Sequence, residues 1–336
     1  MYAEAYMSSE QHPIFVPNGF HISTRPIEVF ANYVLSNVEL DHHGAPAYGG
    51  GGLGKTSAQE YLTQNVSRWL VDHDNRPIGV ASRLIMPSGQ RRSDGAFYTA
   101  LNTRLNLTTS DRLTPQRGKD RIVNFVKTRC GQADLPLMVM FIDNAQRITR
   151  AEYDYLADID EQVTDAKLRL FIVFVRQNDA TGVNAQDDWA GYPSHLLRRW
   201  FMSTHAFQPL MGLAEITHAL DRYDHFATWP KPDMPFSRFF ARGAYDSGWR
   251  LAVQAGLILE GVIALRAENR LPASDAWPMA TFTLTVRHLL ASAAEDRGFS
   301  EFTPAHVRAA LLASGYLRLE YVRANLISGD EAAQHA

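Results

Sequence analysis

Residues 49–56 read Gly-Gly-Gly-Gly-Leu-Gly-Lys-Thr, a pattern whose residue types and spacing can hold phosphate groups. Glycines let the backbone turn so that successive N–H groups point at phosphates from a helix N-terminus. The lysine neutralises phosphate charge, and the threonine hydroxyl is placed to coordinate Mg²⁺. The complete G-x4-G-K-T spacing favours a nucleotide site over a flexible loop, with ATP and Mg²⁺ as cofactors. The predicted binding residues are Gly49, Gly50, Gly51, Gly52, Leu53, Gly54, Lys55, Thr56 and Ser57.

A loop of this kind needs an acidic partner at the end of a buried strand, where a carboxylate can hold Mg²⁺. The continuous apolar run 135–142 ends at Asp143, which is therefore predicted to be that ligand together with Thr56. Capping of a following helix is an alternative role for Asp143, and the two roles are compatible. Asn144 stands where a catalytic Glu is common, and an amide cannot accept a proton as a carboxylate does. We therefore expect slow hydrolysis, or a base supplied by another residue.

Several polar residues farther along the chain become candidates once a nucleotide is assumed. Arg176 and Gln177 end a second apolar strand, where a side chain could sense the γ-phosphate or only form an exit loop. Arg198 and Arg199 are candidates for an arginine finger that reaches the nucleotide of a neighbouring subunit, and the sequence does not separate them. Arg250 follows a Gly-Trp pair and is predicted to close over the phosphates. The alternative for each arginine is a surface charge.

Charge is distributed unevenly in this chain of net charge −3. Residues 76–129 contain eleven Lys and Arg against three acids, a net charge of +8, which leaves −11 for the rest. Such a basic block can bind a phosphate backbone through counterion release, or it can be a solvated surface. The apolar fraction of 46% and charged fraction of 21% are those of an ordinary globular protein.

Apolar strands alternate with amphipathic stretches up to about residue 190, which predicts an α/β domain with a parallel, doubly wound sheet. Predicted strands cover 45–48, 78–86, 135–142 and 168–175, and predicted helices cover 56–71, 97–105 and 119–130. Beyond residue 190 only helices are expected, at 206–226, 248–266, 280–294 and 304–314. The predicted division is an N-terminal extension (1–35), a nucleotide-binding domain (36–228), a small helical lid domain (229–327) and a tail (328–336), with the Pro-rich stretch 229–235 as linker.

The single Cys130 has no internal disulfide partner and is expected to be a small buried residue, as in a reducing cytoplasm. The N-terminus lacks a basic and then apolar targeting pattern, and the apolar runs are too short for a membrane span. These features predict a cytoplasmic protein without a membrane partner.

The glycine-rich loop, the run Phe-Ile-Asp-Asn-Ala-Gln at 141–146, the paired arginines at 198–199 and Gly-Trp-Arg at 248–250 occur in the order found in AAA+ ATPases, which the chain resembles. An apolar strand ending in Asp-x-Ala-Gln further resembles transposition regulators of the TniB, TnsC and MuB type. That resemblance covers about residues 10 to 325, and Asn144 departs from the usual Glu of the family.

The resemblance implies an ATP-dependent homo-oligomer, a ring or helical filament, that assembles on duplex DNA and recruits a transposase with a target-selection protein. DNA-facing segments would be 87–95 and 106–121, with largely sequence-independent phosphate contacts by Arg91, Arg92, Arg112, Arg117 and Lys119. Two alternatives remain: a signalling or scaffold ATPase that acts on protein partners without DNA, and a fast-hydrolysing loader or remodeller, against which Asn144 argues.

Overall fold

The computed structural model describes residues 11–89, 91, 93–107, 114–177, 189, 191–230, 234–296 and 298–324. Contacts divide the chain into two compact units. One comprises Val29–Gly51 and Ala58–Phe207, and the other comprises the described residues of Met1–Glu28, Gly52–Ser57 and Gln208–Ala336.

The first unit is built on a five-stranded parallel sheet in the order β2-β3-β4-β1-β5. Its strands are β1 (Gly44–Gly49), β2 (Gly79–Ile85), β3 (Leu137–Asp143), β4 (Arg169–Gln177) and β5 (His205–Ala206). All seven residues of β3 are buried, as expected for an apolar strand covered on both faces. The predicted α/β class with a parallel sheet is confirmed.

A proline lies inside β1, although that strand has neighbours on both sides. Ile172 donates its N–H to the carbonyl of His43, so the alternation of the ladder turns the N–H groups of Ala45 and Ala47 toward β4. The ring nitrogen of Pro46 therefore faces the other side. There β5 pairs only with Ala47 and Tyr48, so no ladder hydrogen bond is lost at Pro46.

Helices of this unit flank the sheet. They are α1 (Arg25–Glu39), which begins in the other unit, α2 (Lys55–Gln64), α3 (Asp94–Arg104), α4 (Pro115–Ala133), α5 (Arg150–Asp165) and α6 (Ser194–Trp200). The predicted helix 56–71 is too long, because α2 ends at Gln64. Side chains donate to backbone carbonyls near the end of this helix: Asn65 Nδ2 to Tyr61 O at 2.9 Å and Trp69 Nε1 to Leu62 O at 2.8 Å. A short 3₁₀ helix, Val66–Arg68, follows.

The second unit is mainly helical. Its helices are α7 (Gly212–His225), α8 (Phe236–Phe240), α9 (Arg242–Asp246), α10 (Ala255–Glu268), α11 (Met279–Glu295) and α12 (Pro304–Ala313), and residues 316–324 are also helical. Helix α7 and the helices after the Pro-rich stretch belong to the same unit and share one apolar cluster, which includes Ile216, Phe236 and Phe282.

The expectation of helices only after residue 190 is wrong. Strand β5 extends the sheet, and β6 (Leu210–Met211) pairs antiparallel with β7 (Ala276–Trp277). The predicted helix 206–226 therefore begins six residues late, at Gly212, since the backbone before it is used in strands. Gly212 has a φ of +65°, a left-handed conformation that separates the strand from the helix.

Cys130 is buried on α4 and carries a free thiol, whose pKa burial raises. Within the described ranges, no helix is both long enough and apolar enough to cross a membrane.

Candidate functional site

The glycine-rich loop connects β1 to α2 and uses two of its five glycines in left-handed conformations. Gly52 has a φ of +77° and Gly54 a φ of +98°. A Cβ on Gly54 would also lie 2.9 Å from Cβ of Met279, and Gly52 accepts a hydrogen bond from the Ala280 N–H at 3.0 Å. Side chains at both positions would therefore strain the loop. Leu53 between them is buried, while Thr56 is exposed at the start of α2.

The carboxyl edge of the sheet brings together the ends of four strands. The register pairs Gly49 of β1 with Gln177 of β4, and it pairs Asp143 of β3 with Val175 of β4 and with Ile85 of β2. Ligands of open α/β sheets bind at this edge. Gln146 crosses it: its Oε1 accepts a hydrogen bond from the Gln177 N–H at 3.1 Å. The predicted Gly49, Asp143 and Gln177 thus share one edge.

Asp143 is 7% exposed, and both of its carboxylate oxygens accept hydrogen bonds. Oδ1 accepts from the Asn144 N–H at 2.9 Å, and Oδ2 accepts from Nη2 of Arg83 at 3.0 Å. Each carboxylate oxygen has two lone pairs and can accept more than one contact. The oxygen-donor chemistry of Asp143 and Thr56 fits Mg²⁺, which binds through one or two protein oxygens and keeps several waters.

Arg83, on β2, connects two carboxylates. Its Nη1 lies 2.5 Å from Oε1 of Glu60 on α2, and its Nη2 bonds to Asp143. All three side chains are largely buried, with exposures of 14% for Arg83, 18% for Glu60 and 9% for Asp143. A shared guanidinium gives both carboxylates a charge-assisted partner at low solvent exposure. No motif in the sequence points to Arg83 or Glu60; the available signal is a charged residue, Arg83, within a mainly apolar strand.

Asn144 adopts a left-handed conformation, with a φ of 57° and a ψ of 38°, just before the 3₁₀ helix Ala145–Arg147. Asn tolerates this region better than other residues that carry a Cβ. The turn gives a backbone reason for an amide at the position where the sequence analysis noted a missing Glu. The amide itself carries no base for proton transfer.

Arg198 and Arg199 lie side by side on α6 but differ in their contacts. Arg199 donates from Nη1 to Ala157 O at 3.1 Å and pairs through Nη2 with Glu161 at 3.0 Å, both on α5. Its Nε is also 3.8 Å from the buried Asp160. Arg198 is exposed, and no carboxylate among the described residues pairs with it. Arg199 therefore joins α6 to α5, whereas Arg198 keeps its guanidinium available.

Arg250 immediately precedes the 3₁₀ helix Leu251–Gln254 and is held by its own unit. Its Nη1 donates to Tyr245 O at 2.8 Å and to Trp249 O at 2.7 Å, and its guanidinium carbon lies 3.6 Å from the centre of the Tyr245 ring. Asp224, fully buried on α7, accepts from the N–H groups of Leu251 and Ala252 at 3.0 and 2.9 Å. Asp224 thereby fixes the backbone that carries Arg250.

Residues of the basic block do not share one exposed face. Arg91 is 7% exposed and forms an ion pair with Glu152, which is 2% exposed, while its Nη2 donates to Arg147 O at 2.8 Å. This burial corrects the expectation that Arg91 meets a DNA backbone, because the guanidinium is already bound within the protein. Lys119 is half-buried, 3.8 Å from Asp158. Arg117 is exposed near the start of α4, and Arg92 and Arg112 lie outside the described residues.

No family model matches the chain, and no curated protein matches it. Among solved structures, the ORC2 protein of Aeropyrum pernix in ADPNP–ADP complexes aligns with a TM-score of 0.52 at 12% identity, covering 90% of this chain and 71% of that one. The Aeropyrum pernix ORC1 protein in complex with DNA gives a TM-score of 0.48 at 13% identity, over 90% and 70% of the two chains. Domain III of the Thermotoga maritima replication initiation protein DnaA gives 0.44 at 10%, over 87% and 93%. The similarity to ORC2 is one of fold, and it agrees with the parallel sheet and flanking helices of this chain.

Proposed function

We propose that this chain is an ATP-binding AAA+ regulator of DNA transposition that assembles on duplex target DNA. The observation that carries nucleotide binding is the sheet edge, where β1 runs into the glycine-rich loop at Gly49 and β3 ends at Asp143. Gly52 and Gly54 adopt the left-handed conformations that such a loop needs. The solved ORC2 protein, similar in fold, was captured with ADPNP and ADP, which supports the same ligand class here.

In this proposal Lys55 neutralises phosphate charge, while Thr56 and Asp143 supply oxygens for Mg²⁺. Bound Mg²⁺ would offset phosphate charge. Gln177 and Arg250 are the further phosphate contacts of this proposal. Asn144 keeps the turn after Asp143 without adding a base, so ATP is turned over slowly and acts chiefly as a switch for assembly.

Arg198 is the better arginine finger of the two. An arginine that completes a neighbour's site must be free to leave its own subunit's contacts. Arg199 would have to release Glu161 and the Ala157 carbonyl, whereas Arg198 is exposed beside it. Homo-oligomers with closed or helical symmetry repeat such a contact at every interface.

Regulation of transposition rests on the resemblance carried by Asp143, Ala145 and Gln146 at the end of β3. The side chain of Gln146 accepts a hydrogen bond from the backbone N–H of Gln177, so Gln146 lies at the carboxyl edge of the sheet. Recruitment of a transposase and a target-selection protein belongs to the same proposal. Arg117, together with Arg92 and Arg112, supplies the sequence-independent DNA contacts.

A scaffold ATPase that binds protein partners without DNA is a second candidate. One observation favours it: Arg91 and Lys119, two of the five basic residues predicted to meet DNA, pair with Glu152 and Asp158 of their own chain. Burial of Arg91 reduces the charge that the block can offer to phosphates.

Electron microscopy of the purified protein with ATP, with and without duplex DNA, tests the proposal beside a phosphate-release assay. DNA-dependent assemblies with slow turnover are expected. Lys55→Ala should abolish assembly, because the loop loses its cation for the phosphates. DNA-independent rings would instead favour the scaffold, fast turnover would favour a remodeller, and normal assembly of Lys55→Ala would contradict the nucleotide switch.

A further inference from the structure

A cavity of about 390 Å³ opens at the β2 edge of the sheet, between α2 and the C-terminal ends of α3 and α4. Its volume is in the range of small-ligand pockets. None of residues 49–57 lines it, so it is separate from the glycine-rich loop. Four of its lining residues are charged: Glu60, Arg83, Arg104 and Arg129.

The charges of this cavity are unbalanced. Among the described residues that line it, Glu60 is the single carboxylate, and its Oε1 is bound by Nη1 of Arg83. The second terminal nitrogen of Arg83 bonds to Asp143, so that guanidinium is used within the protein. Within the described lining, Arg104 and Arg129 therefore give two positive charges in excess of the acids.

Arg104 and Arg129 come from different helices: Arg104 lies in the last turn of α3, and Arg129 lies four residues before the end of α4. The position of Arg104 alone is accounted for by the negative end of its helix dipole, whereas that of Arg129 is not. Two arginines that line one cavity repel each other, and an anion between them would relieve that repulsion. Both are exposed, and neither has an ion pair within the part of the chain that the structure describes.

The remaining wall suits a phosphate ester. Ser82, Thr63 and Asn106 bring hydroxyl and amide groups, and the half-buried Phe125 adds an apolar surface. Strand β2 is the edge of the sheet, so its outward N–H groups at this cavity have no strand partner. Guanidinium groups bind phosphate oxygens in pairs, more selectively than a lysine does.

We propose that this cavity binds a phosphate group through Arg104 and Arg129. The phosphate comes either from a nucleic-acid backbone or from a small phosphorylated molecule, and the two sources share the same recognition chemistry. In the first case the cavity adds to the DNA-binding surface of the proposed function. In the second it is a regulatory site that is independent of DNA.

The test compares Arg104→Gln/Arg129→Gln with the single variant Lys127→Gln. Lys127 is exposed on α4 two residues before Arg129 and does not line the cavity, so it controls for loss of charge on the same helix. Inorganic phosphate is titrated by calorimetry with the glycine-rich loop saturated by ADP and Mg²⁺. Labelled random-sequence duplex DNA is titrated by anisotropy at several salt concentrations. The Arg129→Lys variant retains the charge but loses the paired geometry.

We expect the double variant to bind inorganic phosphate at least about tenfold more weakly, since two charge-assisted contacts are removed. Lys127→Gln should stay within about twofold, and Arg129→Lys should be intermediate. If the source is nucleic acid, DNA affinity also falls and the slope of log affinity against log salt decreases by about two. If only phosphate binding falls, the ligand is a small molecule.

Equal phosphate and DNA binding by the double variant and Lys127→Gln would overturn the proposal. Failure of the proposed nucleotide-dependent function is recognised separately, because the unmodified chain would then not bind fluorescent ADP. Lys55→Ala should keep its phosphate binding at the cavity, which separates this site from the loop. If the double variant does not fold, the two single Gln variants decide by the same comparison.

Discussion

Arg83 donates from Nη2 to Oδ2 of Asp143 at 3.0 Å, so the carboxylate at the end of β3 already has a cation beside it. The same guanidinium holds Glu60 of α2. The helix that starts in the glycine-rich loop is thereby joined to the strand that carries the proposed metal ligand. Arg83 ties α2 to β3 irrespective of the nucleotide.

Replacement of Arg83 by Gln removes the guanidinium that bonds to two carboxylates of low exposure. Removal of one partner of such a buried pair costs about 3–5 kcal/mol of the free energy of unfolding. We expect a loss of that order in urea denaturation without Mg²⁺. Mg²⁺ with ADP should restore part of it, because a cation returns beside Asp143. Arg83→Lys keeps the charge and should lose less; equal stability of Arg83→Gln and the unmodified chain would contradict the role of this network.

Asn144 provides a test of why an amide follows Asp143. Its φ of 57° favours Asn or Gly, so Asn144→Glu should lower the free energy of unfolding by about 1 kcal/mol. The new carboxylate should raise the rate of phosphate release from ATP, because it supplies the missing base. Asn144→Gly is the control for the backbone: it should be folded and slow. If Asn144→Glu is as slow as Asn144→Gly, turnover is limited by another step.

The sequence predicted the long strands of the sheet but not the two-residue strands β5, β6 and β7. Strands β3 and β4 are long apolar runs, and their burial on two faces makes them recognisable without tertiary context. Strand β5 has only two residues, His205 and Ala206, and forms because Ala47 and Tyr48 lie beside it. Strands β6 and β7 likewise depend on each other, across more than sixty residues. Local periodicity cannot reveal such pairings.

The candidate site shows the same division. Residues with a motif, such as Lys55 and Asp143, were found from spacing alone. Contacts between distant segments were not found in this way. Arg91 forms an ion pair with Glu152, which lies 61 positions farther along the chain, and a count of basic residues cannot show that the side chain of Arg91 is buried. Likewise, Arg198 and Arg199 become distinguishable only through the α5 residues that hold one of them.

Replacement of Arg199 by Ala should lower stability, whereas replacement of Arg198 by Ala should lower activity. Arg199→Ala removes a bond to the Ala157 carbonyl and a contact with Glu161, and we expect a loss of about 1–2 kcal/mol in the free energy of unfolding. Arg198→Ala should change stability by less than about 0.5 kcal/mol, since it is an exposed side chain without such contacts. Phosphate release that depends on protein concentration should fall in Arg198→Ala. Loss of this dependence in Arg199→Ala alone would reverse the assignment.

The burial of His12 leads us to expect that the free energy of unfolding of the helical unit falls in acid. Its ring is fully buried among Phe15, Trp229, Phe236, Phe239 and Phe240, and its Nδ1 accepts from the Ile14 N–H at 3.1 Å. Burial lowers the pKa of His12 to about 4. The folded pKa lies below the unfolded value near 6.5, so folding favours the neutral ring. This contribution is complete above pH 6.5 and is lost as the pH falls toward 4.

His12→Phe should therefore lose less free energy of unfolding between pH 6.5 and 4 than the unmodified chain does, because Phe does not titrate. His205, whose pKa burial also lowers to about 4, still titrates in this variant, so the dependence should be reduced rather than abolished. His73→Gln is the control, since the side chain of His73 is 90% exposed. Urea denaturation at closely spaced pH values measures the difference. Parallel curves for His12→Phe and the unmodified chain would show that His12 is not buried in its neutral form, and the aromatic cluster around it would then have to admit water.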